Sequence, residues 1–83
     1  MELKDTITLM TSDDYKERFK AEYYQLKIRD EKLTTMLNKY NAGELNFTPS
    51  CSYEMLFEQL VYMEHYLGML EKRAEIEGIN LEE

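Results

Sequence analysis

Apolar and aromatic side chains recur at helical spacing from Tyr15 to Tyr40. They fall at Tyr15, Phe19, Tyr23, Leu26, Leu33, Met36, Leu37 and Tyr40, and Phe19, Leu26, Leu33 and Tyr40 stand seven apart. No Gly or Pro interrupts the stretch, and Thr11-Ser12-Asp13-Asp14 ahead of it offers oxygens to the free N–H groups of a helix start. The pattern predicts a first helix over about 12–41, on the order of 40 Å long at 1.5 Å per residue. Asn41-Ala42-Gly43 closes it, since Gly adopts the left-handed conformation of a helix C-terminus. A linker over about 42–52 contains Pro49, which is barred from a helix interior. A second helix is predicted over about 53–77, capped by Ser50 or Ser52 and stopped at Gly78.

The second helix carries two apolar seams. One reads Tyr53, Leu56, Leu60, Met63, Leu67, Leu70, Ala74. The other reads Met55, Gln59, Tyr62, Tyr66, Met69, Arg73, Ile76, roughly 120 to 160° around the helix at 100° per residue. A helix that is apolar on two faces packs on two sides, and one partner helix covers only one of them. The expected fold class is therefore all-α: an antiparallel two-helix hairpin over residues 11–83 that self-associates into a helical oligomer, a symmetric assembly being the simplest cover for the second seam. Gly68 costs about 1 kcal/mol relative to Ala in mid-helix, and its place near the second seam suggests close approach of another helix. Residues 1–10 stand outside this pattern. Leu3, Ile7 and Leu9, interleaved with Thr6 and Thr8, are mildly strand-like, and the segment is expected to be an extension that is disordered or pairs with another copy.

Charge refines the picture by segment. The chain's 83 residues hold 17 acidic and 10 basic side chains, for −7. Residues 13–41 have seven bases against six acids, whereas residues 53–83 have two bases against eight acids. That balance excludes a duplex-DNA binder, which needs a basic stripe, while leaving the first helix as the place where a small anion would bind. One Cys rules out a disulfide framework or a four-thiolate zinc site. Apolar runs fall far short of the roughly 20 residues of a membrane span, and the lone thiol and acidic N-terminus suit a cytoplasmic protein.

Little points to catalysis. His65 lies outside both seams and reads as a solvated side chain, Cys51 reads as a small semi-buried thiol beside the helix cap, and no phosphate-binding glycine loop is present. No enzyme activity, metal or cofactor is expected. The polar residues that interrupt the seams say more. Arg29, between Leu26 and Leu33, must find an anion, either Asp30 or a carboxylate of the partner helix, or else a ligand phosphate or carboxylate that its forked donors suit. Arg73 breaks the second seam of the second helix in the same way. Tyr15, in the first helical turn, is either a lid on the hairpin end or a flat platform for a nucleobase, with Arg18 and Lys16 nearby for phosphate. Tyr15 and Arg29 lie four turns apart, about 21 Å, so one small ligand reaches both only if two copies pack antiparallel.

The spaced set Tyr15, Arg18-Phe19, Glu22, Leu26, Arg29, Lys32-Leu33, then Leu56, Gln59, Met63, Tyr66, Leu70 and Arg73 resembles the helical-hairpin domain shared by phage anti-CBASS and anti-Thoeris sponge proteins and by small proteins of crAss-like gut phages. The resemblance spans about residues 13–78. It implies a non-catalytic homo-oligomer in the host cytoplasm that evades immunity by sequestering a cyclic di- or trinucleotide or a cyclic ADP-ribose-type messenger. By motif position Tyr15 would stack on a base and Arg29 would hold phosphate, with Lys32 and Arg73 as further contacts. The composition also admits another reading, an acidic hairpin that acts through protein–protein contact, as inhibitor of a host factor or as a nucleic-acid mimic.

Overall fold

In the computed structural model, which describes residues 1–82, three helical segments follow one another along the chain. A 3₁₀ turn at Leu3–Thr6 runs straight into the one-turn helix α1 (Ile7–Met10), and the long helices are α2 (Tyr15–Asn41) and α3 (Tyr53–Glu77). Among the described residues there is no β-strand. The molecule measures 43 × 24 × 19 Å, its long dimension set by α2.

Each long helix is delimited by local chemistry. Asp14 caps α2 by accepting from the backbone N–H of Lys16 at 2.9 Å, so the helix starts a little later than the periodicity predicted. Its C-terminus closes in a Schellman arrangement: Gly43 sits at φ 71°, Glu44 N–H donates to the Lys39 carbonyl and Gly43 N–H to that of Tyr40. Ser52 caps α3 through the N–H of Met55 at 3.2 Å. Gly78, at φ 69°, ends α3 in the left-handed region and lets Ile79 N–H bond back to Ala74.

Contacts across the two long helices pair the start of one with the end of the other: Tyr15 meets Glu77, Tyr66 donates to Glu22, and Asn41 donates to the Tyr53 hydroxyl. The first seam of α3 faces α2. Leu67, Leu70 and Ala74 are buried, whereas Tyr53, Leu56, Leu60 and Met63 are only half-buried. The core therefore sits toward the Gly78 end, where Phe19, Tyr23 and Tyr24 of α2 meet Leu67, Leu70, Ala74 and Ile79. At the linker end an aromatic series, Tyr40, Tyr53 and Phe57, stands in its place, with ring centroids 5.3 and 6.1 Å apart.

The second seam of α3 is exposed along its whole length, from Met55 (60%) through Tyr62 (63%) to Ile76 (85%). Among the described residues, nothing beyond Gly68's own helical turn and chain neighbours comes within 4 Å of where a Cβ would stand, so the close helix approach expected there is not made by these residues. Cys51, expected to be semi-buried, is exposed, because it lies in the irregular stretch just ahead of the Ser52 cap.

The N-terminal segment is helical, not strand-like. Asp5 and Glu2 cap one another, and the Thr6 hydroxyl donates to the Leu3 carbonyl at 2.7 Å, closing the turn locally. Thr6 is 1% exposed and also accepts from Gln25 of α2 at 2.9 Å, while Leu9 packs on the core. From the other terminus, Leu81 reaches the same helix: its carbonyl accepts from the Tyr24 hydroxyl at 2.8 Å. Both ends of the chain thus cover a face of α2 that α3 leaves open. Thr6→Val keeps the shape but removes the hydroxyl that satisfies Gln25, and is expected to cost about 1 kcal/mol, read as a fall in Tm of roughly 4–8 °C for a chain of this size with faster proteolysis near Met10.

Candidate functional site

Because α2 begins where α3 ends, Tyr15 and Arg73 meet although they lie far apart in sequence. Arg73 Nη2 donates to Tyr15 Oη at 2.8 Å, Tyr15 Oη donates to Glu77 Oε1 at 2.9 Å, and Arg73 Nε donates to Glu77 Oε2 at 3.2 Å. The three side chains form a closed ring. Beneath it, the Arg73 guanidinium lies 5.1 Å from the centroid of buried Phe19, a cation–π contact that holds the cation flat over an apolar floor. The Tyr15 ring tilts against Phe19 at 6.3 Å and remains 47% exposed.

The hydrogen bond with Glu77 raises the Tyr15 pKa above 10.0, burial adds to this and Arg73 opposes it. The hydrogen bond with the same Glu77 pushes the already high pKa of Arg73 further up. At neutral pH the phenol is therefore neutral and the guanidinium charged. Half of the Arg73 side chain stays accessible, with N–H donors beyond those given to Tyr15 and Glu77. The corner can accept an anion beside a flat aromatic face.

The remaining sequence-predicted residues are distributed differently. Arg18 is exposed near Tyr15, but its Nη1 donates to the Ser12 carbonyl at 2.8 Å and so pins the loop ahead of α2. Arg29 and Lys32 are exposed neighbours on the next turns of α2, about 21 Å along the helix from Tyr15 in the case of Arg29. Among the described residues Arg29 makes no ion pair with Asp30 or with a carboxylate of α3. The structure thus brings Tyr15 and Arg73 together and leaves Arg29 and Lys32 as a separate basic pair.

The position that faces α3 is Asp30, not Arg29. The spacing Phe19, Tyr23, Leu26, Asp30, Leu33, Leu37 is a continuous 3-4 alternation, and following it would have put the acid on the seam. Asp30 is 7% exposed, and among the described residues its Oδ2 has no hydrogen-bond partner. Burial raises its pKa above 3.8, the hydrogen bond and charge of Glu64 on α3 push in the same direction, and Lys27 opposes them. Phe19, Glu77 and Glu64 were likewise missed as site neighbours; only the antiparallel pairing of the helices reveals them.

Together, fold and site define a small all-helical protein with an aromatic–guanidinium corner at one end and a basic pair along its first long helix. The family model that matches is Sequestin, over residues 13–76. That match covers most of the chain, and the chain belongs to the Sequestin family. The family name speaks of sequestration, in keeping with the resemblance to sponge proteins. Comparison with curated proteins and comparison with solved structures each return no match. Among the described residues no helix is long and apolar enough to cross a membrane.

The Asp30 site carries a pH dependence whose sign follows from its direction of shift. A carboxyl that binds its proton more tightly when folded stabilises the fold at low pH, and that contribution is lost as pH rises from 3.8 through the raised value. Asp30→Asn is therefore expected to raise Tm at pH 7 by several degrees, about 1 kcal/mol, with the gain shrinking toward pH 4. Melting curves of both proteins across that range check it.

Proposed function

We propose that this Sequestin-family chain is a non-catalytic phage anti-defence protein: a helical hairpin that self-associates and sequesters a cyclic nucleotide messenger at pockets between its copies. Family membership supplies the act of sequestration. The observation that carries the choice of ligand is the Tyr15–Arg73 corner, where a half-exposed phenol ring and a guanidinium sit side by side over Phe19. A nucleobase stacks on the ring while the adjacent phosphodiester takes the remaining guanidinium donors, whose fork suits phosphate oxygens. Glu77 already holds Arg73 and acts as the internal anion that the phosphate must displace.

Self-association rests on the exposed second seam of α3, where Met55, Tyr62, Tyr66, Met69 and Ile76 line one face. An antiparallel arrangement of two copies sets the Tyr15–Arg73 corner of one beside Arg29 and Lys32 of the other, so the ligand is gripped from both sides. Arg18 stabilises the loop at the edge of that pocket and adds positive potential. The messengers that fit are cyclic di- or trinucleotides and cyclic ADP-ribose isomers, all of which combine a base with backbone phosphate.

The test is a thermal-shift and calorimetry panel over those ligands. A ligand that binds only the folded state raises Tm by mass action. Tyr15→Ala and Arg73→Ala are expected to weaken the bound ligand at least tenfold while leaving the assembly intact, and Glu77→Gln to strengthen it severalfold by removing the competing carboxylate. No shift across the panel refutes the sponge and favours the acidic helix α3 as a surface for a protein partner, to be sought by neutralising Glu54, Glu58 and Glu71.

A further inference from the structure

A groove of about 340 Å³ lies far from Tyr15, between the last turns of α2 and the start of the linker. The Schellman turn at Gly43 folds the chain back there, so that Leu45, Asn46 and Phe47 stand over the face of α2 that carries Lys32, Met36 and Lys39. One side of the groove is apolar: Met36 and Leu45 are half-buried, and Phe47 keeps 54% of its surface exposed. The other side is cationic. Lys32 and Lys39 are seven residues apart on one helix face, about 10.5 Å along the axis, and their flexible stems let both ammonium groups converge on one anion.

Glu44 also lines the groove, so its three charged side chains sum to a single positive charge. That excess matches a singly charged phosphodiester better than a doubly charged terminal phosphate. The Thr35 hydroxyl donates to the Glu31 carbonyl at 2.9 Å and can only accept from a ligand, while the Asn46 amide offers both a donor and an acceptor to a base edge. The volume lies near the lower end of small-molecule sites, which suits one nucleoside phosphate and not a whole cyclic dinucleotide. The net charge of −7 works against a polynucleotide occupant.

We infer that this linker groove is a second nucleotide-binding element, taking one base–phosphodiester unit of a cyclic nucleotide, with the base against Phe47 and Leu45 and the phosphodiester between Lys32 and Lys39. The inference rests on the cyclic-nucleotide reading for its ligand class, but it assigns Lys39, Asn46 and Phe47, which that reading does not use. It also gives Lys32 a defined neighbour: the groove begins one turn beyond Arg29, so a ligand held there continues the basic pair of α2.

The experiment is a titration of ¹⁵N-labelled protein with 3′,5′-cyclic AMP and cyclic di-AMP, with sodium phosphate and a thymidine oligonucleotide as comparisons, followed by calorimetry on Phe47→Ala and Lys39→Gln. Both substitutions fall on exposed side chains, and unchanged melting curves verify that the fold is kept. The expected result is that the cyclic nucleotides shift the amides of Lys32, Lys39, Glu44 and Phe47, and that each substitution weakens binding about tenfold. Shifts confined to Tyr15, Phe19 and Arg73, or undiminished affinity in both variants, overturn the groove and leave the sponge reading standing. Shifts from phosphate alone at those amides, or a tighter fit of the oligonucleotide, also overturn it. Groove shifts that persist in Tyr15→Ala, while that variant binds cyclic nucleotides as tightly as the native chain, uphold the groove and refute the Tyr15 corner. Absence of any shift with either cyclic nucleotide refutes the groove, while the Tyr15 corner is decided separately by the full ligand panel, cyclic ADP-ribose isomers included.

Discussion

Two helices laid side by side can hide only one stripe of each, and in this chain the stripe on α3 is fully hidden along only about half its length. Leu67, Leu70 and Ala74 are buried, while Tyr53, Leu56, Leu60 and Met63 remain half in solvent. Material from outside the pair adds instead to the end that is already packed, on α2. Thr6 and Leu9 come from one terminus, Ile79 and Leu81 from the other, and both groups pack against its first half. The result is a core at one end, with two consequences for binding. Phe19 becomes a fixed floor under Arg73, and the linker end keeps enough room for a groove.

Electrostatics follow the same division. At the packed end two exposed guanidiniums already have internal partners: Arg73 has Glu77 and Tyr15, and Arg18 has the Ser12 carbonyl. Along the outer face of α2, Arg29, Lys32 and Lys39 are exposed side chains with no ion pair among the described residues. A ligand at the first location must exchange with a carboxylate, whereas one at the second meets cations directly. Asp30, buried against Glu64, adds a different element, a like-charged contact inside the helix pair that costs stability near neutral pH.

The seven-residue spacing of Phe19, Leu26, Leu33 and Tyr40 made the first long helix legible, and the caps at Asp14 and Ser52 and the glycines at 43 and 78 are the residue types that end helices. The site was only half legible. Arg73 and Tyr15 could each be singled out as polar or aromatic breaks in a pattern, but their contact depends on the two helices pairing end to start. Arg29 falls between Leu26 and Leu33 and so looks like the break in the seam, but the 3-4 alternation puts Asp30 there. The N-terminal segment was misread because Leu3, Ile7 and Leu9 alternate as in a strand; what decides its form is the Thr6 hydroxyl, which bonds both its own turn and Gln25.

The graded burial along α3 also orders events in time. Backbone amides are protected from exchange to the extent that opening them exposes packed surface, and that surface is greater around the buried Leu67, Leu70 and Ala74 than around the half-buried Tyr53, Leu56 and Leu60. The pair of long helices therefore unzips from the linker inward, with Phe57 and Leu60 released long before Ala74. Opening at the linker end alters the shape of the groove beside Phe47 while the Tyr15 corner stays assembled, so the two ends of one small molecule keep different clocks.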